Sequence, residues 1–271
     1  MPLVSTDPQL VQRLLLAREL ALRAGGVQRS RYETHLTIES KSASIDLVTE
    51  VDRACEALIV SAIREEFPAD AILAEEGGVG AAPGAEFCWV VDPLDGTTNF
   101  AHGFPRFCVS IGIERRDERV IGVVYDPLLD ERFEAVRGGG AWLGPRRLAV
   151  SRESEFGRGL FATGFPYDVH ESDDDNLEAF AKVVKSARGI RRDGSAALDL
   201  CYVAAGRVDG YWERKLHAWD VAAGILIVEE AGGRVSDESG GTVDRSGHEV
   251  VATNGPLHTS LLEKIRSSRR G

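Results

Sequence analysis

Apolar residues recur every three or four positions in two segments near the start of the chain, a spacing that is typical of helices with one apolar face. In the first segment, Asp7-Pro8 resembles a helix start and Gly25-Gly26 a helix stop. Charged residues lie among its leucines, which favours an amphipathic helix over a signal peptide. The second segment, residues 48–67, ends at a proline. We therefore expect two helices, the first of them ending at the glycine pair.

Short apolar runs bounded by turn residues predict strands in the rest of the first half. The runs at 71–74 and 87–91 each continue directly into acidic residues. Three β-rich stretches within residues 106–139 are spaced like an antiparallel meander. The triple glycine at 138–140 indicates a hairpin turn.

From about residue 140 the pattern changes, and strand-like segments alternate with helix-like segments. Runs of strands are typical of α+β folds, whereas alternation is typical of α/β layers. We therefore expect an N-terminal α+β domain over residues 1–150 and a C-terminal α/β domain over residues 151–271.

Composition limits the classes of function. The chain has 271 residues, of which 43% are hydrophobic and 28% are charged, so it is long enough for a large buried core. It contains no apolar run near the roughly 18 residues that a membrane span needs. The net charge is −11 without a long basic stripe, which does not favour a nucleic-acid partner. Acidic residues that gather in a few places can instead hold cations.

The four cysteines are scattered without CxxC spacing, and each has apolar neighbours. We expect them to be small buried side chains, and not disulfides or metal ligands. This usage fits a reducing, cytoplasmic location.

Several acidic residues occupy positions that are typical of a metal site. Glu75 and Asp92 each end a predicted strand, which is where α/β folds place their chemistry. Asp95 follows within the same turn, Asp52 lies in an early helix, and Asp220 opens a late one. Carboxylate oxygens suit Mg²⁺ or Mn²⁺ and are poor ligands for zinc. The alternative is that these acids form turns and cap helices.

The turn sequence DPLDGTTNF adds a second element to this site. Pro93 fixes one backbone angle, and Gly96 allows the backbone to approach a ligand closely. The segment after it can start a short helix whose free N–H groups face an anion. Carboxylates for cations beside amides for an anion predict a place for a metal-bound phosphate.

Two segments are recognisable. WVVDPLDGTTNF (89–100) resembles the first signature of the inositol monophosphatase family, and HAWDVAAGILIVEEAGG (217–233) is similar to its second signature. Further segments resemble the family in the same order along nearly the whole chain, namely 41–52, 74–78, 103–112 and 191–213.

The resemblance implies a layered αβαβα sandwich of the sugar-phosphatase type. It also implies a phosphoric monoester hydrolase that uses two or three Mg²⁺ ions, with Mn²⁺ as an alternative, that is inhibited by lithium, and that forms a homodimer. The implied substrate is a small phosphorylated polyol or sugar, above all inositol monophosphate.

The resemblance further implies a role for individual residues. One metal would be held by Glu75, Asp92 and the carbonyl of Leu94, and a second by Asp92, Asp95 and Asp220. Thr97 and Asp52 would orient and deprotonate the attacking water, beside the catalytic ligand Glu75. The N–H groups of Gly96 and Thr97 would bind phosphate, and Asp95 and Asp220 would also face the substrate. Its hydroxyls would contact Glu213, Gly194, Ser195 and Ala196, and Lys41 would lie beside the metal ligands.

Two segments of the sequence leave the identity of the substrate undecided. Residues 214–217 place two cations beside Glu213, and residues 165–176, which carry several acids, are expected to form a solvated loop before a helix. Fructose 1,6-bisphosphate, a nucleotide 3′-phosphate and NADP therefore remain alternatives. His217 could touch the leaving group or make a structural hydrogen bond. An alternative of another class is a protein partner of the transcription machinery.

Overall fold

The computed structural model describes residues 6–40, 47–80 and 84–266. Its first helix, α1 (Pro8–Arg31), starts as predicted, with Asp7 accepting a hydrogen bond from the backbone N–H of Gln9. The predicted stop is wrong, because α1 continues through the glycine pair. A Cβ on Gly25 would lie 2.5 Å from Cδ1 of Tyr125, so this glycine allows close packing and does not end the helix.

The remaining helices follow the predicted order. The second helix ends before its proline, as expected, and the turn after Asp95 starts a short helix. The helices are α2 (Glu50–Glu66), α3 (Thr97–Ala101), α4 (Leu177–Val184), α5 (Ala196–Ala204), α6 (Ala218–Glu230) and α7 (His258–Arg266).

The first half of the chain builds one large sheet in the order β10-β9-β8-β7-β6-β5-β3-β4, next to a separate β1-β2 hairpin. The predicted meander is present as the antiparallel strands β6, β7 and β8, and β3 pairs with β5 in parallel. The short strand β4 lies in a glycine-rich stretch and pairs with β3 in the antiparallel direction. The strands are β1 (Ile38–Ser40), β2 (Leu47–Thr49), β3 (Ala71–Ala74), β4 (Gly78–Gly80), β5 (Phe87–Asp95), β6 (Cys108–Arg115), β7 (Glu118–Asp126), β8 (Glu131–Val136), β9 (Gly140–Leu143) and β10 (Arg146–Arg147).

The second half builds a smaller mixed sheet in the order β12-β11-β13-β15-β14. Here β11 is parallel to both of its neighbours, whereas β15 is antiparallel to β13 and β14. The strands are β11 (Leu160–Thr163), β12 (Gly189–Arg191), β13 (Gly210–Arg214), β14 (Arg234–Ser236) and β15 (Glu249–Thr253).

Helices and sheets alternate in five layers, which confirms the predicted αβαβα sandwich. Helices α1 and α2 cover one face of the large sheet, α5 and α6 lie between the two sheets, and α4 and α7 cover the outer face of the small sheet. Helix α6 lies very close to the large sheet, since a Cβ on Gly122 would be 2.6 Å from the carbonyl oxygen of Ala223. This central layer joins the two halves of the chain.

The chain passes from the large sheet to the small one between Arg147 and Leu160, near the predicted boundary. A single buried cluster nevertheless includes Val124 of β7, Leu226 of α6 and Tyr211 of β13. The division into domains 1–150 and 151–271 stays a prediction.

The cysteines behave as small buried groups. All four lie within the described residues and are free thiols, of which Cys55, Cys108 and Cys201 are buried and Cys88 is half-buried. In the described part of the chain, no helix combines the length and the apolar character that crossing a bilayer requires.

A candidate active site lined by carboxylates

Two parallel strands deliver the first acids to one edge of the large sheet. Ala74 of β3 is in register with Val91 of β5, so Glu75 and Asp92 follow at the same edge. The N–H of Glu75 donates to the carbonyl of Val91 at 3.3 Å, which extends the pairing by one residue. The strand ends therefore bring together two acids that are 17 positions apart in the sequence.

The turn that follows is a bulge in β5. Between Asp92 and Asp95, three steps along β5 face two steps along β6, and such an extra residue re-aims side chains. The N–H of Leu94 donates to Oδ1 of Asp92 at 2.9 Å. Gly96 then adopts φ +94°, and a Cβ there would lie 2.7 Å from the carbonyl oxygen of Arg106. Only glycine fits this position, from which α3 starts.

Asp95 links the two halves of the chain. Its Oδ2 accepts hydrogen bonds from Oγ of Ser195 at 2.7 Å and from the N–H of Ala197 at 2.8 Å. The thiol of Cys108 lies 3.7 Å from the same oxygen. Burial raises the pKa of Asp95, and these hydrogen bonds oppose that effect by stabilising the carboxylate.

Asp220 arrives from the central helix layer. It lies in the first turn of α6, where its Oδ2 accepts a hydrogen bond from the N–H of His217 at 2.7 Å. Burial raises its pKa well above the usual value, and the charges of Asp95, Glu75 and Glu213 raise it further. The acid therefore caps its helix and also faces the other carboxylates, so the two sequence interpretations are compatible.

Asp92 is influenced by the charges of three other acids of the site. Its pKa is raised well above the usual value, first by burial and then by the charges of Glu75, Asp95 and Asp220. Ionised carboxylates so placed repel one another unless protons or cations offset the charge.

The donor set fits a hard cation, because it consists of carboxylate oxygens from several elements. As the side chains stand, however, no three His, Cys, Asp or Glu side chains within residues 6–40, 47–80 and 84–266 are grouped so that they could hold an ion. Asp92, Asp95 and Asp220 each place one oxygen on a donor of the protein instead. Metal binding would thus require the carboxylates to turn toward one another.

A hydroxyl–carboxylate pair lies beside these acids. Oγ1 of Thr97 donates to Oδ1 of Asp52 at 2.8 Å and also lies 3.0 Å from the carbonyl oxygen of Leu94. The other oxygen of Asp52 accepts from the N–H and the hydroxyl of Thr49. Burial raises the pKa of Asp52, while these hydrogen bonds lower it. The two side chains are therefore hydrogen-bonded to each other, and their catalytic role stays a prediction.

Glu213 approaches from the small sheet. Oη of Tyr211 donates to its Oε2 at 2.7 Å, and a Cβ on Gly164 would lie 2.1 Å from either carboxylate oxygen. Burial raises the pKa of Glu213 to about 7, with opposing contributions from Tyr211 and Arg192. The charge of Asp95 also raises it, which places Glu213 in the same field.

The other predicted substrate contacts form the turn before α5. Gly194 has φ +76°, Ser195 is the residue just before the helix, and Ala196 is its first residue. The hydroxyl of Ser195 is buried and engaged with Asp95, so any substrate contact there would involve the backbone. Lys41 lies outside the described residues.

Several supporting residues have no signal in the sequence. The amide of Gln28 in α1 donates to the carbonyl of Pro93 at 2.8 Å and so supports the acidic turn. The amide of Asn99 donates to the carbonyls of Arg106 and Asp193, both at 2.7 Å. Oε2 of Glu56 accepts from the N–H of Glu76 at 2.7 Å. All of these contacts except that between Asn99 and Arg106 join positions at least 20 apart in the chain, so no local pattern predicts them.

The acidic stretch 165–176 is a loop before α4, as predicted, and most of its residues are at least partly exposed. Two of its acids also form ion pairs. Asp168 pairs with Lys215, and Asp174 pairs with Arg214. His217 is exposed, and its ring stacks on Trp219 with 4.7 Å between ring centroids.

Known proteins resemble this chain along most of its length. Residues 10–270 match the model of the inositol monophosphatase family. An inositol-1-monophosphatase of Synechocystis is 44% identical over 94% of this chain and 89% of its own length. A Nus factor SuhB of Pseudomonas aeruginosa is 47% identical over 85% of this chain and 86% of its own. The structure of an inositol monophosphatase from Anabaena superimposes with a TM-score of 0.86 at 42% identity, covering 96% of this chain and 97% of that one.

Proposed function

Because the chain belongs to the inositol monophosphatase family and is a phosphatase, we propose that it hydrolyses inositol monophosphate to inositol and phosphate. The proposed reaction uses Mg²⁺, in two or three ions, with Mn²⁺ as a substitute. The observation that carries the proposal is that Glu75 and Asp92 follow paired residues of two strands at one edge of the large sheet, while Ser195 of the second half of the chain binds Asp95 in the next turn.

The size of the catalytic task favours metal ions over an acid–base pair alone. Hydrolysis of phosphate monoesters requires acceleration of up to about 10²¹-fold, whereas one general base contributes about 10²–10⁴-fold. The difference must come from charge stabilisation and positioning, which cations supply at phosphoryl centres.

We assign the ligands of two ions to residues at the acidic edge. Glu75, Asp92 and the carbonyl of Leu94 would hold one ion, and Asp92, Asp95 and Asp220 the other. The bound ions would neutralise phosphate charge and make water more acidic. The protein's part is to hold these acids at one edge of the large sheet, where bound cations would offset their mutual repulsion in place of protons.

Thr97 and Asp52 would move the proton of the attacking water. A water that donates to Oγ1 of Thr97 can pass its proton to that oxygen, while the hydroxyl proton of Thr97 passes to Oδ1 of Asp52 over the observed 2.8 Å. The pKa of Asp52 is raised by burial, which favours proton uptake.

The remaining groups would bind the substrate. The N–H groups of Gly96 and Thr97 lie where α3 starts and would donate hydrogen bonds to phosphate oxygens. Glu213 would accept hydrogen bonds from substrate hydroxyls, beside the turn 194–196. One set of groups would thus bind the phosphate, which all candidate substrates share. The other set would bind the alcohol part, and would therefore determine which substrate is preferred.

A panel of esters tests the proposal. Inositol 1-phosphate, fructose 1,6-bisphosphate, a nucleoside 3′-phosphate and NADP are assayed for phosphate release with Mg²⁺, with a chelator, and with lithium. We expect the highest kcat/KM for inositol 1-phosphate, no activity with the chelator, and inhibition by lithium. A higher value for another ester would replace the substrate but keep the site, whereas activity in the chelator would contradict metal-dependent hydrolysis.

A second candidate function is binding to the transcription machinery. It is favoured by the 47% identity to a relative named as a Nus factor. Binding of the wild type and the Asp95→Asn variant to a purified transcription elongation complex tests it. Equal binding by both would support a role independent of catalysis, and binding by neither would remove the candidate. A homodimer and a cytoplasmic location remain predictions, the first of which light scattering can test.

A further inference from the structure

Strand β13 holds the segment 164–176, which begins where the carboxylate of Glu213 touches Gly164. We name this segment the substrate wall. Three residues next to Glu213 in the sequence bind the substrate wall. Trp212 and Arg214 lie within the strand, and Lys215 follows the strand directly. Glu213 and the wall are therefore parts of one connected structure.

The first connection is buried. Nε1 of Trp212 donates to Oδ1 of Asn176 at 2.7 Å, and Nδ2 of Asn176 donates to the carbonyl of Gly164 at 2.7 Å. Asn176 is only 2% exposed and has φ +70°, a conformation that asparagine tolerates better than most residues. This connection fixes both ends of the wall against β13.

The second connection is an ion pair between a buried arginine and an aspartate whose side chain is 43% exposed. Nη1 of Arg214 donates to Oδ1 of Asp174 at 2.8 Å, and its Nε donates to Glu238. Arg214 is almost completely buried. Its guanidinium is thereby engaged with two acids and is not directed at a phosphate.

The third connection holds the middle of the wall. Nζ of Lys215 lies 2.7 Å from Oδ2 and 2.9 Å from Oδ1 of Asp168, and 2.8 Å from Oγ of Ser172. An ammonium group has three N–H donors, and three acceptors surround this one. Lys215 is therefore not available as a phosphate ligand while the wall is in place.

The backbone of Lys215 supports this interpretation. It has φ +55°, a left-handed conformation that residues with a Cβ rarely adopt. Such strain persists where surrounding contacts fix it, and it often accompanies a functional position. Here the conformation directs the side chain to Asp168 immediately after the strand that carries Glu213.

We propose that Lys215 is a positioning residue for the alcohol part of the substrate. Through Asp168 and Ser172 it holds the substrate wall beside Glu213, and so sets the affinity for esters whose hydroxyls reach that carboxylate. The proposal rests on the proposed function, because it assigns Glu213 to substrate hydroxyls. The Lys215 side chain is 21% exposed and that of Asp168 is 46% exposed, so the pair itself is weak and acts by selecting the position of the wall.

Kinetics with two esters test the proposal. Wild type, Lys215→Met, Asp168→Asn and the double variant are assayed on inositol 1-phosphate and on ethyl phosphate, which has no hydroxyls. We expect each single variant to raise KM for inositol 1-phosphate about fivefold, with kcat and the KM for ethyl phosphate within about twofold of wild type. The double variant should resemble the singles, because both remove the same connection.

Ionic strength provides a measurement on the unaltered protein. Salt screens a partly exposed ion pair and so weakens it. Added salt should therefore raise the KM for inositol 1-phosphate relative to the KM for ethyl phosphate in wild type, and leave this ratio unchanged in Lys215→Met. The matched control is Lys182→Met, which removes an ion pair with Glu178 on the surface of α4 and should change neither KM.

Three results would overturn the proposal: unchanged KM in both single variants, equal effects on the two esters, or additive effects in the double variant. Failure of the proposed function would look different, since wild type itself would then hydrolyse inositol 1-phosphate poorly. In that case the polyol or sugar phosphate with the highest kcat/KM replaces it in the same comparison.

Discussion

Ser195 donates a 2.7 Å hydrogen bond to Asp95, and 100 positions of the chain separate the two residues. Ser195 precedes α5 in the central layer, whereas Asp95 ends β5 of the large sheet. The N–H of Ala197 donates to the same oxygen. The carboxylate of Asp95 is thus held by the second half of the chain, at the position where the proposed catalysis needs it.

Asp95→Asn should retain the fold, because the amide oxygen can still accept from Ser195 and Ala197. It removes one negative charge from the proposed metal site, so we expect kcat to fall by at least about 100-fold at moderate Mg²⁺. Phosphate release over a Mg²⁺ series and circular dichroism measure this. Asp244→Asn is the matched control in an exposed turn. Near-normal activity of Asp95→Asn would contradict the assignment.

Thr97→Val keeps the shape of the side chain but removes the hydroxyl between the water and Asp52. We expect kcat to fall by about 10²–10⁴-fold, the range for loss of assisted proton transfer. Thr97→Ser, which keeps a hydroxyl, should retain most activity. Single-turnover phosphate release compares the two variants, and equal losses in both would show that the methyl group matters and not the hydroxyl.

Glu213→Gln should change binding more than chemistry. A hydrogen bond to a charged acceptor is stronger than one to a neutral amide, so KM for inositol 1-phosphate should rise about tenfold, with kcat within about threefold. Steady-state kinetics on this ester and on ethyl phosphate measure the effect. If kcat falls while KM is unchanged, Glu213 acts in the chemical step.

His258 should make the stability of the fold depend on pH. Its ring is buried between the hydroxyls of Ser236 and Thr253, and burial, with Arg234 and Arg266 nearby, lowers its pKa from 6.5 to about 4. Between these values the unfolded chain binds a proton that the folded protein does not. The free energy of unfolding should therefore fall as the pH drops from 6.5 to 4, by at most about 3 kcal/mol from this residue.

Urea unfolding of wild type and His258→Gln at about pH 7.5 and pH 4.5 isolates this contribution. The variant cannot titrate at this position, so its free energy of unfolding should fall less between the two pH values. Parallel changes in both proteins would show that other groups cause the acid sensitivity.

The two neighbouring glycines of α1 should respond oppositely to substitution. Gly25→Ala places a methyl group against the Tyr125 ring and should lower the free energy of unfolding by about 1–3 kcal/mol. Gly26→Ala meets no atom within 4 Å and should raise it by about 0.5–1 kcal/mol through helix propensity. Thermal and urea unfolding compare them. A stabilising Gly25→Ala would show that the ring moves aside.

The sequence by itself determined the features that depend on neighbouring residues. Apolar spacing predicted α2, the meander and the alternation of the second half, because periodicity reflects which face each element buries. The acids at 92 and 95 share one turn with Gly96, so their proximity is a local property of the chain. Prediction failed at Gly25-Gly26, because the helix continues on account of its packing against Tyr125, a residue 100 positions away.

Only the tertiary structure decided how the site is completed. The stacked layers bring Ser195 within hydrogen-bond distance of Asp95. They also bring Asp220 close enough to Glu75, and Glu213 close enough to Asp95, for the charge of one acid to raise the pKa of the other. Likewise Lys215 finds Asp168, although the two are 47 positions apart. These relationships depend on how sheets and helices stack, and a single sequence does not encode that stacking in any local pattern. The type of site could therefore be predicted from short segments, whereas the arrangement of its residues could be known only from the folded structure.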